Sequence, residues 1–112
     1  MKLKELLKKK TNLNYTTMPA YVIVEIEIHD IELYKSYTAL TPETIAHYKG
    51  KFIVRGGKSI ILEGDKSPKR NVLLEFPDFE TANSWWHSEA YSRARKIRQK
   101  AATTRMTIVE GV

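Results

Sequence analysis

The sequence predicts an α+β fold of the ferredoxin-like type, a βαββαβ sandwich. Alternating apolar residues predict strands at Ala20–Ile28 and Thr103–Val109, and two apolar runs between residues 52 and 76 predict a hairpin. Helical periodicity lies between each outer strand and the hairpin. This order predicts a four-stranded antiparallel sheet with the helical regions on one of its faces.

Length and charge divide the chain into a tail and one domain. The chain has 112 residues and a net charge of +6, which is enough length for one core. Residues 1–17 hold five lysines and one glutamate. We expect this segment to be a flexible basic extension of a single ferredoxin-like domain at residues 18–112. Because the domain itself is close to neutral, we expect no nucleic-acid partner.

Two further absences in the sequence exclude classes of protein. No apolar run reaches the ~20 residues of a membrane-spanning helix, so we expect no membrane partner. The chain has no cysteine, which excludes disulfides and cysteine nucleophiles and fits a reducing compartment. We therefore expect a cytoplasmic protein.

The first strand and the helical region after it have clear boundaries. Ala20–Ile28 alternates strictly, and Asp30 is expected to cap a helical region from Ile31 to Tyr48. Thr41-Pro42 predicts a break and the start of a second short helix, because proline favours the first helical turn. Gly50 is expected to end that helix.

The middle of the chain reads as one long hairpin. Its predicted arms are Phe52–Leu62 and Asn71–Phe76, joined by a turn at Gly64–Arg70. Gly56-Gly57 interrupts the first arm, which predicts a bulge or a sharp bend there.

A second helical region opens at Pro77-Asp78, and Ser88 predicts a fresh helix start within it. The predicted apolar stripe of this region consists of Phe79, Ala82, Trp86, Tyr91, Ala94 and Ile97. The last strand, Thr103–Val109, follows.

Alternation assigns the strand residues to two faces. The predicted helix-covered face carries Val22, Val24, Ile26, Phe52, Val54, Val72, Leu74, Phe76, Met106 and Ile108. The predicted open face carries Tyr21, Ile23, Glu25, Ile53, Arg55, Leu73, Glu75, Arg105, Thr107 and Val109. An open face that is half apolar predicts an isologous homodimer, packed sheet to sheet. Arg55 and Glu75 would form an ion pair there, whose simplest role is structural.

Several motifs carry a resemblance to a known family. They are MPAYVIVEIEI at residues 18–28, Tyr34, Tyr37, Pro42 to Ile45, Gly50 to Gly57, Leu62 to Gly64, Leu74 to Pro77, Trp86, Ser88, Tyr91 and Val109 to Val112. From Met18 to Val112 the sequence resembles the family catalogued as domain of unknown function 1330. That family resembles the dimeric α+β barrel proteins, which include cofactor-free monooxygenases, small-ring isomerases and dehydratase-like enzymes. The resemblance implies a homodimer whose two sheets form a barrel, and it implies no established reaction.

Motifs for metal, nucleotide or triad chemistry are absent from the sequence. His29, His47 and His87 lie in separate segments with no close-spaced ligand pair, so no metal is expected. Arg55-Gly56-Gly57-Lys58 is neither a P-loop nor a dinucleotide fingerprint, and no serine has a nucleophile-elbow context. We expect no cofactor.

The candidate site is a small pocket between the sheet and the helices, or at its mouth. Its candidate lining residues are Tyr34, Tyr37, His47 and Trp86. Arg55 would supply a fixed cation for a carboxylate or enolate oxygen, and His47 or Glu75 would shuttle protons. The competing interpretation is that the aromatic residues are core packing and that His47 is a surface residue.

Two functions therefore remain open. The first is a cofactor-independent enzyme, isomerase- or monooxygenase-like, that acts on a small oxygenated or aromatic compound through Arg55, Glu75, His47 and Tyr37, with Tyr34 and Trp86 binding the ligand. The second is a non-catalytic homodimer that binds a small ligand or only assembles.

Overall fold

The computed structural model describes residues 18–112, so the predicted basic extension at residues 1–17 lies outside the described residues. The elements are β1 (Ala20–Ile28), α1 (Ile31–His47), β2 (Lys51–Arg55), β3 (Arg70–Phe76), α2 (Phe79–His87), α3 (Glu89–Ala101) and β4 (Ala102–Glu110). The strands form one antiparallel sheet in the order β2-β3-β1-β4. This is the predicted ferredoxin-like α+β fold.

The face assignment of the two central strands is confirmed. In β1, Val22, Val24 and Ile26 are buried beneath the helices, as are Leu74 and Phe76 of β3. The intervening residues of β1 lie on the opposite face, which we call the open face. Strict alternation holds here because the pairing of β1 with both of its neighbours is uninterrupted.

The three helices of residues 18–112 begin where the sequence predicts a helical start, at Asp30, Pro77-Asp78 and Ser88. The side chains of Asp30, Asp78 and Ser88 each accept a hydrogen bond from the backbone N–H three residues further on, at 3.0, 2.7 and 3.2 Å. These bonds satisfy donors that have no partner within the first helical turn. The second helical region is thus two helices, with the junction at Ser88 as predicted.

The predicted break at Thr41-Pro42 is wrong, because α1 is one continuous helix with Pro42 inside it. An interior proline removes one backbone hydrogen bond. The buried side chains of Tyr37 and Ile45, on either side of Pro42, pack against the sheet and hold the helix together. Instead of capping a new helix, Thr41 donates its hydroxyl to the Tyr37 carbonyl at 2.7 Å.

The residue that ends α1 also differs from the predicted one. Lys49, and not Gly50, takes the left-handed conformation that ends the helix, with φ of 59°. Gly50 is required for another reason. A Cβ atom there would lie 2.5 Å from Cε1 of Phe76 and 2.8 Å from Cγ2 of Ile45.

The predicted long hairpin arm is wrong, because β2 ends at Arg55 instead of reaching Leu62. Residues 56–69 form an irregular connection. Gly56 has φ of 67°, which turns the backbone out of the extended conformation, and Ile60 and Leu62 are each 82% exposed. Without a partner strand, the apolar residues after Gly56 are not held in the sheet.

A β-bulge lies within β2, upstream of the predicted position at Gly56-Gly57. Phe52 is opposite Leu74, but Val54 is opposite Leu73, so β2 contains one extra residue. The side chains after the bulge therefore change faces. Val54 lies on the open face and Arg55 lies on the helix-covered face, which reverses the prediction for both residues.

Trp85, and not Trp86, is the tryptophan of the core. Trp85 is fully buried and Trp86 is half-buried. The Trp85 ring lies 4.0 Å from the Tyr91 ring and 5.2 Å from the Phe76 ring, measured between centroids. Its Nε1–H donates to Oγ1 of Thr44 at 3.1 Å. Within residues 18–112, no helix is both long enough and apolar enough to cross a membrane.

The close approach at Gly50 yields a test of the packing of α1 on the sheet. We expect Gly50→Ala to lower the free energy of unfolding by about 1–3 kcal/mol, because the added methyl group must displace Phe76 or Ile45. Urea unfolding measures this change. The matched control is Gly57→Ala, where a Cβ atom meets nothing within 4 Å and the free energy is expected to stay equal or rise slightly. Equal stabilities of the two variants would contradict the packing described here.

Candidate functional site

The structure contains a small cleft between α1 and the helix-covered face of β2 and β3. The residues that give this α1 cleft its chemistry are Tyr34, Tyr37, Thr38, Arg55, Arg70 and Met106. Apart from Thr41, the rest of its wall is aliphatic or aromatic. Its cavity volume is about 30 Å³, which is room for about one water molecule. The cleft can therefore enclose one polar group of a ligand, while the rest of the ligand lies at the mouth.

Two guanidinium groups line the α1 cleft. Arg55 is exposed at the mouth, with Cζ 4.3 Å from the centroid of the Phe52 ring. Arg70 lies deeper, with Cζ 5.9 Å from the centroid of the Tyr34 ring, and its buried Nε has no hydrogen-bond partner. Among residues 18–112, the ion pairs found include neither arginine. Both charges are thus available to a negatively charged group.

The backbone places both arginines. The bulge in β2 turns Arg55 toward α1, and Arg70 begins β3. A side chain at Gly56 would collide with the Arg70 guanidinium. The glycine with its positive φ therefore both ends β2 and leaves the space that Arg70 occupies.

Two buried tyrosines form the inner wall of the α1 cleft. Burial raises the pKa of Tyr34 above its usual value, and the nearby Arg70 opposes that shift. Burial also raises the pKa of Tyr37 well above its usual range, and Tyr91, whose hydroxyl lies 2.9 Å from that of Tyr37, adds to the shift. Both hydroxyls are therefore protonated at neutral pH. They can donate hydrogen bonds but cannot act as bases.

The predicted Arg55–Glu75 ion pair is wrong. Glu75 lies on the open face, where its Oε2 is 3.2 Å from Nζ of Lys51. The bulge accounts for the difference, because it moves Arg55 to the other side of the sheet. Glu75 consequently does not reach the α1 cleft.

His47 and Trp86 also lie outside the α1 cleft. His47 is exposed in the last turn of α1, against the ring of Tyr48. Trp86 packs under the guanidinium of Arg95, at 3.8 Å, and borders a separate cavity. Of the predicted site residues, the structure brings together Tyr34, Tyr37 and Arg55 only. Within residues 18–112, no group of three or more His, Asp or Glu side chains is placed to hold a metal ion.

Arg70 is the residue of the α1 cleft that the sequence prediction missed. The signal was present, because Arg70 precedes Val72 and Leu74 at strand spacing and so shares their face. The turn predicted at Gly64–Arg70 includes Arg70, and alternation assigns no face to turn residues. Extending β3 by one residue would have identified it.

Family comparison agrees with the resemblance carried by the sequence motifs. Residues 19–112 match the family described as domain of unknown function 1330. No curated protein matches the sequence.

Solved structures share the fold. The protein of unknown function RPA0582 from Rhodopseudomonas palustris has a TM-score of 0.71 and 17% identity, over 100% of this chain and 95% of that chain. SnoaB, a cofactor-independent oxygenase from Streptomyces nogalater, has a TM-score of 0.57 and 10% identity, over 83% and 92% of the two chains. A conserved protein of unknown function from Bacteroides thetaiotaomicron, described as a possible oxidoreductase, has a TM-score of 0.50 and 11% identity, over 84% and 98%. At these identities the similarity shows the fold alone.

The buried Tyr37–Tyr91 pair predicts a specific dependence of stability on pH. Because the folded protein holds the Tyr37 proton more tightly than the unfolded chain, its contribution is complete below the ordinary tyrosine pKa of 10.0 and is lost as the pH rises above that value. At pH 7, Tyr37→Phe leaves the buried Tyr91 hydroxyl with only the Met106 sulfur, at 3.9 Å. We expect a loss of about 1–3 kcal/mol.

Urea unfolding at pH 7 and at several values above pH 10 measures both effects. The free energy of unfolding of Tyr37→Phe should fall less steeply above pH 10 than that of the wild type. Tyr21→Phe, on the open face, controls for the loss of a hydroxyl elsewhere. If the free energy of unfolding of Tyr37→Phe falls as steeply with pH as that of the wild type, Tyr37 is not the residue responsible for the pH dependence.

Proposed function

The chain belongs to the family described as domain of unknown function 1330, and we propose that it is a cofactor-independent enzyme acting on a small oxygenated or aromatic compound at the α1 cleft. One observation carries the proposal. The guanidinium groups of Arg55 and Arg70 line an apolar cleft beside the Tyr34 hydroxyl, and no ion pair found within residues 18–112 neutralises them.

The charge of the α1 cleft favours a ligand in its anionic form. A cation fixed in a poorly solvated site stabilises an enolate or phenolate oxygen more than the neutral enol or phenol. A bound ligand therefore loses its proton more easily than it does in water. The proton passes to solvent water, so the protein need not contribute a base, and the predicted proton shuttles Glu75 and His47 are not required.

The size of the α1 cleft indicates how such a ligand binds. The anionic oxygen would enter the cavity of about 30 Å³, between Arg70 and the protonated hydroxyl of Tyr34. The remainder of the compound would lie at the mouth, next to Arg55. Tyr34 would donate a hydrogen bond to the oxygen, which adds to the stabilisation of its charge.

The structural comparisons support a site that works without a cofactor. SnoaB is described as a cofactor-independent oxygenase, so this fold supports such chemistry in at least one protein. The likeness concerns the backbone and not particular residues. The alternative is a non-catalytic binding protein. It is favoured by the positions of His47 and Glu75, because the lining of the cleft then contains no carboxylate and no imidazole to act as a base.

We further propose that the protein is a homodimer through the open face. Ile23, Ile53, Val54 and Val109 of that face are between 38% and 47% exposed, which leaves an apolar patch in contact with water. The same face carries acidic and basic residues, such as Glu75 and Lys51. A surface with both signs of charge can pair with a second copy of itself about a twofold axis.

Binding of a hydroxyaromatic probe tests the proposed site. We expect 4-nitrophenol to bind to the wild type with its pKa lowered, seen as phenolate absorbance at a lower pH than in buffer. Arg70→Gln should abolish that shift, because the deeper of the two cations is removed. Arg93→Gln is the matched control, since Arg93 is exposed on α3 and paired with Glu89.

The outcomes distinguish three cases, namely an enzyme, a non-catalytic binding protein, and a protein without a ligand site at the α1 cleft. A lowered pKa in the wild type that Arg70→Gln abolishes supports the site. Turnover of enolisable and phenolic compounds, assayed with oxygen and without added cofactor, then distinguishes the enzyme from the binding protein. A pKa of 4-nitrophenol that the protein leaves unchanged contradicts the proposal.

Sedimentation tests the proposed dimer. Ile23→Glu places a charge at the centre of the open face, on the central strand β1, and is expected to convert the dimer to monomer. Ile31→Glu is the control, because Ile31 is also exposed but lies at the start of α1. A wild-type protein that sediments as a monomer at micromolar concentration, or a dimer that Ile23→Glu leaves intact, would contradict this interface.

A further inference from the structure

A second cavity lies at the β4 edge of the sheet, on the same helix-covered side as the α1 cleft. It opens between α3 and the edge strand β4, has a volume of about 310 Å³, and is lined in part by Trp86, Arg98, Thr104 and Met106. Met106 also lines the α1 cleft, so its side chain lies between the two spaces. The volume is in the range of small-ligand sites.

Arg98 gives this cavity its charge. The residue is only 5% exposed, and its Nε is buried without a hydrogen-bond partner. Among residues 18–112, none of the ion pairs found includes Arg98. A buried charge without an opposite charge is strongly unfavourable, and buried arginines are normally paired.

Two features of the fold offset part of the free-energy cost of burying the Arg98 charge. Arg98 lies in the last turn of α3, where the partial negative charge of the helix end is favourable to a cation. Its Cζ is also 5.8 Å from the centroid of the Tyr37 ring, within the range of a cation–π interaction. Neither feature supplies a hydrogen-bond acceptor for Nε.

A second unsatisfied polar group lines the same cavity. The hydroxyl of Thr104, on the helix-covered face of β4, is buried and has no hydrogen-bond partner. A threonine hydroxyl can donate to an anion, and an arginine can bind a carboxylate through two parallel hydrogen bonds. Arg95 covers one face of the Trp86 ring, and the ring borders the cavity, where a planar ring can pack against it.

From these residues we infer a second binding site, which takes a small aromatic carboxylate. Its carboxylate binds the Arg98 guanidinium and accepts a hydrogen bond from Thr104, and its ring packs on Trp86. The site is separate from the α1 cleft and does not depend on the function proposed for it.

Benzoate is the probe for this site, and the test is made in an Arg70→Gln background so that the α1 cleft contributes less to binding. The indole N–H signal of Trp86 in a ¹⁵N NMR spectrum reports on the cavity, while that of Trp85, bonded to Thr44 in the core, is an internal reference. We expect benzoate to shift the Trp86 signal in a saturable way. Thr104→Val should raise the Kd by about tenfold, the usual effect of losing a hydrogen bond to a charged group.

Arg98→Met tests the charge itself. This variant is expected to lose benzoate binding and to melt at a higher temperature than its parent, because an unpaired buried charge is replaced by an apolar side chain. Arg93→Met, on the exposed side of α3, should change neither property. A Trp86 signal that benzoate does not move overturns the inference. Benzoate binding that is unchanged in both Thr104→Val and Arg98→Met also overturns it. A lower melting temperature of Arg98→Met overturns it as well, because that result would show that the protein itself compensates the Arg98 charge.

Discussion

The contacts of Trp85 hold the two layers of this fold in position. Its ring packs between Phe76 of β3 and Tyr91 of α3, and its Nε1–H donates to Thr44 of α1. One buried side chain therefore contacts the sheet and both long helices. Because a tryptophan buries a large apolar area and one polar group, the hydrogen bond to Thr44 is as necessary as the packing. The distance between α1 and the sheet, and with it the shape of the α1 cleft, depends on this arrangement.

Helical periodicity could not identify that residue in advance. Trp85 and Trp86 are neighbours, three and four positions after the buried Ala82, and both spacings lie on one face of a helix. The choice depends on the residues that α2 meets in three dimensions, above all Tyr91 and Thr44. By contrast, the start of each helix could be predicted, because Asp30, Asp78 and Ser88 cap the helices through local hydrogen bonds.

Dependence on three-dimensional structure also explains why only three of the six predicted site residues, Tyr34, Tyr37 and Arg55, line the α1 cleft. Alternation identifies the face of a strand residue as long as the register is unbroken, and β1 fulfils that condition. A bulge between Phe52 and Val54 reverses the faces beyond it, and no glycine marks it. The predicted bulge at Gly56-Gly57 follows Arg55 in the sequence, so it would not change the face on which Arg55 lies. Arg55 therefore joins Tyr34 and Tyr37 beneath α1, and Glu75 remains with Lys51 on the open face.

Arginines without an ion pair on the helix side of the sheet would link the stability of the protein to the proposed anionic ligands. Arg55, Arg70 and Arg98 lie on the helix side of the sheet and are exposed, half-buried and buried in that order, while acidic residues such as Glu75 and Glu25 lie on the open face. Burial of cations away from carboxylates lowers the stability of the protein without ligand. An anion that binds only the folded state raises the free energy of unfolding by an amount that grows with the logarithm of the anion concentration relative to its Kd. In the proposed sites, the same unpaired charges would both lower the stability of the protein without ligand and supply the affinity for a small anion, so apolar replacements that increase stability would remove that affinity.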